Sequence, residues 1–144
     1  MSDRKSTTGY CFSMNDCVIS WKSTKQSCVA LSTAEAEYVA LSAASQEAVW
    51  IQKLLTEFRM DKIKPMIIHE DNQSALSMTK NVKDHGRGKH IDIKFHYVKD
   101  MVTSGNIELK YCPTNDMLAD IFTKGLPRER FSRLRLLLGV RSLK

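Results

Sequence analysis

The sequence has no apolar run approaching the roughly 18 residues of a membrane span, and Met1 to Tyr10 lack the apolar stretch of a secretory signal. A chain that is not secreted, working in the cytoplasm or nucleus with no membrane partner, is the expectation. The four cysteines, Cys11, Cys17, Cys28 and Cys112, form no CxxC pair, so reduced thiols are expected rather than a disulfide scaffold. Six glycines and three prolines in 144 residues exclude a collagen-like fibre. No internal repeat or low-complexity linker interrupts the chain. What is present is ordinary globular composition, 42% apolar and 26% charged, at a length that can bury a core.

Charge is unevenly placed. The net charge is +6, and residues 127–144 hold six basic side chains (Arg128, Arg130, Arg133, Arg135, Arg141 and Lys144) against Glu129 alone. The chain therefore divides into a nearly neutral body, 1–126, and a basic helix and tail, 127–144. Such a tail either grips phosphates or lays arginine stems over apolar surface. His85, His90, His96 and Cys112 are conceivable zinc ligands, but their spacing fits no standard finger.

Hydropathy patterning places the elements. Tyr10–Met14 and Val18–Trp21 flank the turn-prone Asn15-Asp16 and read as a hairpin. Ser32-Thr33-Ala34-Glu35 is a capping-box pattern. It opens a helix whose apolar positions, from Ala34 through Tyr38, Leu41 and Ala48 to Phe58, recur every three or four residues. Met66–Asp71 reads as a buried strand, 72–80 as a short helix, 81–90 as a loop, and Ile91, Phe95, Val98 and Met101 or Val102 as one face of another helix. Ile107–Tyr111 alternates as a half-exposed strand should. A helix over Asp116–Lys124, capped by Thr114 or Asn115, and a basic helix burying Phe131, Leu134 and Leu138 complete an α/β order.

Three acids stand out on this frame. Glu37 falls within the apolar stripe of the long helix, where an unpaired carboxylate is costly, whereas Glu35 and Glu47 fall outside it. Asp71 ends an apolar strand, where α/β sites gather. Asp120 lies at the apolar edge of its helix. Each also has a plain structural reading: a stripe-edge glutamate, a turn cap and an exposed helical aspartate. Hard oxygen ligands without His or Cys suit Mg²⁺ or Mn²⁺, and two such ions can promote phosphodiester hydrolysis.

Six ordered blocks give these residues a context: Asp3–Tyr10, Ile19–Ser23, Leu31–Tyr38, Glu70–Ala75, Lys89–His96 and Leu118–Lys124. Together they resemble the ribonuclease H domain at the C-terminal end of copia-type LTR retrotransposon polyproteins. The resemblance implies a ribonuclease H-like mixed sheet flanked by helices. It implies hydrolysis of the RNA strand of RNA–DNA hybrids with two Mg²⁺ ions, and a reverse transcriptase domain as a partner in the same polyprotein. By position, Glu37, Asp71 and Asp120 match catalytic metal ligands. Asn72, Gln73 and Lys89 in the matched blocks, with Arg128, Arg130, Arg133 and Arg135, are expected to contact nucleic acid. The family pattern also has an Asp on a first, central strand ahead of Arg4-Lys5-Ser6-Thr7. The sequence starts at that block, and Asp3 has no apolar strand around it, so an N-terminally incomplete domain of impaired activity is expected. The alternative expectation is an inactive remnant, or a host-retained module that binds nucleic acid or acts as a scaffold.

Overall fold

Local chemistry explains where each element starts and stops. The computed structural model describes residues 4–60, 65–80 and 89–143. Strands β1 (Thr7–Met14) and β2 (Cys17–Lys25) pair antiparallel, running further on both sides than the apolar alternation alone indicates. Asn15 and Asp16 both adopt positive φ, 51° and 60°, the geometry a two-residue hairpin turn requires. A register shift between Phe12 and Ser13 marks a bulge in β1.

Helix α1 (Thr33–Glu57) starts as its capping pattern predicts, with Ser32 Oγ accepting from the Glu35 amide at 3.1 Å. Glu35 reaches back to the Leu31 amide at 2.7 Å and is buried, although the stripe analysis put it outside. A carboxylate that accepts an orphan helix-start N–H can tolerate burial. Phe58, expected to close the apolar stripe, instead caps the helix and is exposed. Arg59 turns left-handed there, and the next amide, Met60, returns to the Leu55 carbonyl.

Strand β3 (Met66–Glu70) leads into helix α2 (Gln73–Lys80), capped by Asn72 Oδ1, which accepts from the Ala75 amide at 3.0 Å. Helix α3 (Lys89–Thr103) already includes Lys89 and His90, which were expected to be loop; the rest of the expected loop, 81–88, lies outside the described residues. Strand β4 (Ile107–Tyr111) runs parallel to β3, Met66 opposite Ile107 and Glu70 opposite Tyr111.

The expected helix over Asp116–Lys124 is replaced by two short 3-10 turns, Thr114–Asp116 and Leu118–Phe122. Met117 between them is extended (ψ 103°), which breaks the run before a longer helix can propagate. Helix α4 (Arg128–Leu137) buries Leu134 and Leu138, but Phe131 is exposed rather than packed. The carbonyl of Leu138, which caps its C-terminus, accepts from the Val18 amide at 3.1 Å and ties it to the hairpin. Gly139, at φ 78°, passes so close that a Cβ there would lie 2.9 Å from the Asp16 carbonyl.

The product is an α/β domain with α1 at its centre. Its buried face, Tyr38, Leu41, Ala44, Ala48, Ile51 and Leu55, joins Phe12, Ile68, Val98 and Ile107 in one core. Tyr38 stacks on Phe95 at 5.8 Å. Among the described residues the strands form two pairs, β1–β2 and β3–β4, and no ladder joins them. Antiparallel β1–β2 and parallel β3–β4 give the mixed strand directions, flanked by helices, that the resemblance implies. No helix among the described residues is long and apolar enough to cross a membrane.

A candidate metal centre at the end of the third strand

The end of β3 carries two consecutive acids, and the pleat sends them different ways. Burial alternates along the strand: Ile68 and Glu70 point inward, Ile67 and His69 outward. Glu70 is thus drawn into the core, 6% exposed, while Asp71, just beyond the strand, is half-buried. Glu37 comes from the first turns of α1. One carboxylate oxygen from each of Glu37, Glu70 and Asp71 can be chosen so that all lie within 4.8 Å of one another.

The electrostatics follow from that crowding. Burial pushes the Glu70 carboxyl up to about 7; the Asn72 amide, donating to Glu70 Oε1 at 2.9 Å, opposes this, and the charges of Glu37 and Asp71 add to it. Burial also raises Glu37, with Asp71 and Asp120 adding to the effect and Lys124 opposing it. Even Cys112, whose amide extends the strand pairing to the Glu70 carbonyl at 3.0 Å, is raised by burial and by Asp116, Asp71 and Asp120.

Asp120 lines the same cavity but stands differently. It is 4% exposed and fully engaged: Lys124 Nζ donates to Oδ1 at 2.9 Å and Arg130 Nη2 to Oδ2 at 2.6 Å. Burial alone would lower the Lys124 ammonium, but the hydrogen bond and charge of Asp120, with Asp71 and Glu37 beyond, leave it raised. Of the three acids singled out from sequence, Glu37 and Asp71 therefore belong to the tight cluster; its third member is Glu70, and Asp120 is tied to cations beside it. Glu70 was missed, though the two-residue period of β3 would have turned it inward together with Ile68.

The other candidate residues are placed as follows. Asn72 is occupied as a cap and Gln73 is exposed beside it. Lys89 and Arg128 are exposed at helix starts. Arg133 pairs at the surface with Asp116 Oδ1 at 3.1 Å and the Asn115 carbonyl, and Arg135 lies half-buried. The zinc grouping does not assemble among the described residues: His90 and His96 are exposed on α3, Cys112 sits among acids, and His85 lies outside them.

The protein is an α/β domain with a carboxylate cluster at a strand end that could hold a divalent cation. The donor set fits such an ion, since a buried carboxyl crowded by two others lacks the positive charge that would let all three ionise. No protein-family model matches the chain, and no solved structure matches it. Curated relatives do. Over 142 residues, 99% of this chain, it is 39% identical to the retrovirus-related Pol polyprotein from transposon TNT 1-94 of Nicotiana tabacum. It is 38% identical over 138 residues to the Pol polyprotein from transposon RE1 of Arabidopsis thaliana, and 33% identical over 133 residues to the transposon Ty1-NL2 Gag-Pol polyprotein of Saccharomyces cerevisiae. The chain is homologous to retrotransposon Pol polyproteins, spanning 11%, 9% and 7% of these three in turn.

Proposed function

We propose that the chain is a ribonuclease H-like domain of a retrotransposon Pol polyprotein, acting on the RNA strand of an RNA–DNA hybrid with Mg²⁺ or Mn²⁺. The observation that carries this reading is the convergence of Glu37, Glu70 and Asp71 within 4.8 Å, in a chain homologous to Pol polyproteins. In this reading Glu37, Glu70 and Asp71 hold the metal, and Asp120 joins them as the fourth acid facing the cavity. Two ions in all would supply charge to stabilise a phosphodiester under attack by water. Glu70, raised to about 7, would have to be deprotonated to hold a cation. Lys124 and Arg130 sit where they can pass from Asp120 to a phosphate, with Asn72, Gln73, Lys89, Arg128, Arg133 and Arg135 as further nucleic-acid contacts. Residues 1–126 form the hydrolytic unit, 127–144 the basic extension, and a reverse transcriptase domain is the neighbour in a polyprotein.

The test is a hybrid with labelled RNA, incubated with the chain and Mg²⁺. Slow, metal-dependent shortening of the RNA strand is expected, and Asp71→Asn should abolish it. Cleavage that survives Asp71→Asn, or that needs no metal, would remove the basis of the proposal. The double ion pair on Asp120 favours a second reading, a module that binds hybrid without cutting it. A retarded but uncut hybrid in the same assay would select that reading.

A further inference from the structure

Glu37 and Asp120 stand on different elements, α1 and the second 3-10 turn, yet both line one cavity. The β1–β2 hairpin holds both elements near its open end. The first contact is made by Gln26, immediately after β2. It is 5% exposed, and its backbone amide donates to the Ser6 carbonyl at 2.8 Å, which ties it to the chain entering β1. Its side-chain Nε2 donates to the Ala36 carbonyl at 2.8 Å and to Thr8 Oγ1 at 3.2 Å. The Ala36 carbonyl and the Glu37 amide belong to one planar peptide group. Gln26 therefore grips the plane that leads into Glu37. Stability alone does not account for this residue. Its Oε1 is buried without a partner among the described residues, a cost that an apolar side chain of the same length would not carry.

Two further contacts seat the turn that carries Asp120. Gly9 and Ser23 lie opposite each other in the hairpin. A Cβ on Gly9 would lie 2.3 Å from Thr123 Cγ2 and 3.4 Å from the Ala119 carbonyl, which belongs to the peptide group leading into Asp120. Glycine at this position lets the turn close onto β1. Ser23 Oγ then donates to the Phe122 carbonyl at 2.6 Å, two residues past Asp120. One short stretch of chain, Ser23 to Gln26, thus holds the backbone beside both acids.

We infer that Gln26 and Ser23 are positioning residues for the carboxylate site, Gln26 acting through Glu37 and Ser23 through Asp120, so that the hairpin sets how far apart the two acids stand. The inference rests on the reading that these acids share a cation site. A metal ligand oriented by a supporting residue loses affinity for its ion when that support is removed, although the ligand itself is untouched. Loss of fold stability alone lowers Tm and leaves the affinity of the folded chain unchanged.

Titration of the full chain with Mn²⁺, followed by calorimetry beside the Tm of the metal-free chain, tests it. Gln26→Met keeps the length of the side chain and removes the donor, and should weaken Mn²⁺ binding about tenfold. Ser23→Ala should weaken it about threefold, less because its hydrogen bond is exposed, and Ser23→Thr, which keeps the hydroxyl, should recover most of that loss. In an Asp120→Asn background Ser23→Ala should cost nothing further, whereas Gln26→Met should still weaken binding. Wild-type affinity in Gln26→Met or in Ser23→Ala, whatever the Tm, overturns the inference and leaves the cation site standing, because the residue then only packs. A loss in Ser23→Thr equal to that in Ser23→Ala, or a further loss from Ser23→Ala in the Asp120→Asn chain, overturns it as well. Should Gln26→Met not fold, the Ser23→Ala and Ser23→Thr pair decides. A wild-type chain that binds no Mn²⁺ removes the cation site itself, and the inference with it.

Discussion

Glu70 and Asp120 are buried to nearly the same degree, 6% and 4% exposed, and line the same cavity, yet their surroundings are opposite. Asp120 has a cation on each oxygen. Glu70 has the backbone amides of Asn72 and Asp71 and two other acids, and its carboxyl is pushed up to about 7. Burial therefore does not set the character of a carboxyl here; the sign of its neighbours does. One acid is a finished structural pair, and the other is a site still lacking positive charge.

The largest effect should come from undoing the finished side. Arg130→Met leaves Asp120 with Lys124 alone, and removing one partner of a buried pair costs about 3–5 kcal/mol. Urea unfolding should show that loss, whereas Glu70→Gln at pH 8 should hold or raise stability. If both substitutions destabilise alike, the contrast between the two acids is wrong.

Next in size is the pH dependence. The Glu70 carboxyl is raised from 4.5 to about 7, so the folded chain holds that proton more tightly than the unfolded one. The stability it contributes is fully present below about pH 4.5 and is lost as pH rises through about 7, a fall on the order of 3 kcal/mol. Glu37, also raised, adds in the same direction. Thermal unfolding between pH 5 and 8 in chelator should show the decline, and Glu70→Gln should remove most of it. A flat wild-type profile would mean that Glu70 is solvated.

A smaller effect sharpens the same point. Mg²⁺ at ten times its Kd should restore about 1.4 kcal/mol at pH 8, through binding to the folded state alone. Glu37→Gln should abolish this gain and Arg133→Gln should not. The smallest effect concerns the tail. Arg130 and Arg133 must leave Asp120 and Asp116 to reach a phosphate whereas Arg128 is exposed, so Arg128→Gln should flatten the salt dependence of hybrid binding by about one contact. A larger change on replacing Arg133 would show that its pair opens for phosphate.

The legible parts of the molecule are those governed by short-range rules. Ser32 and Glu35 announce α1, Asn15-Asp16 the hairpin, and Ser104-Gly105 the end of α3; the structure realises each of them locally. The stripe of α1 identified most of the core and placed Glu37 near it. What escaped depends on distant partners. Nothing within a helical turn of Asp120 foretells Arg130, ten residues on and in another element, and the 3-10 geometry around Asp120 hinges on an extended Met117. Gly9 is a similar case: a Cβ there would lie 2.3 Å from Thr123 Cγ2, so β1 needs a glycine for a neighbour more than a hundred residues away.

The pairing of Asp120 with Arg130 also imposes an order on synthesis. The acid leaves the ribosome before the guanidinium that neutralises it, and so does the hairpin to which α4 is later tied through Val18 and Leu138. A nascent chain stopped short of residue 130 holds Asp120 with only Lys124 as counter-charge. Helix α4 is the clasp that closes the domain, and a chain truncated before Arg130 should be cut by proteases more readily than the 144-residue chain.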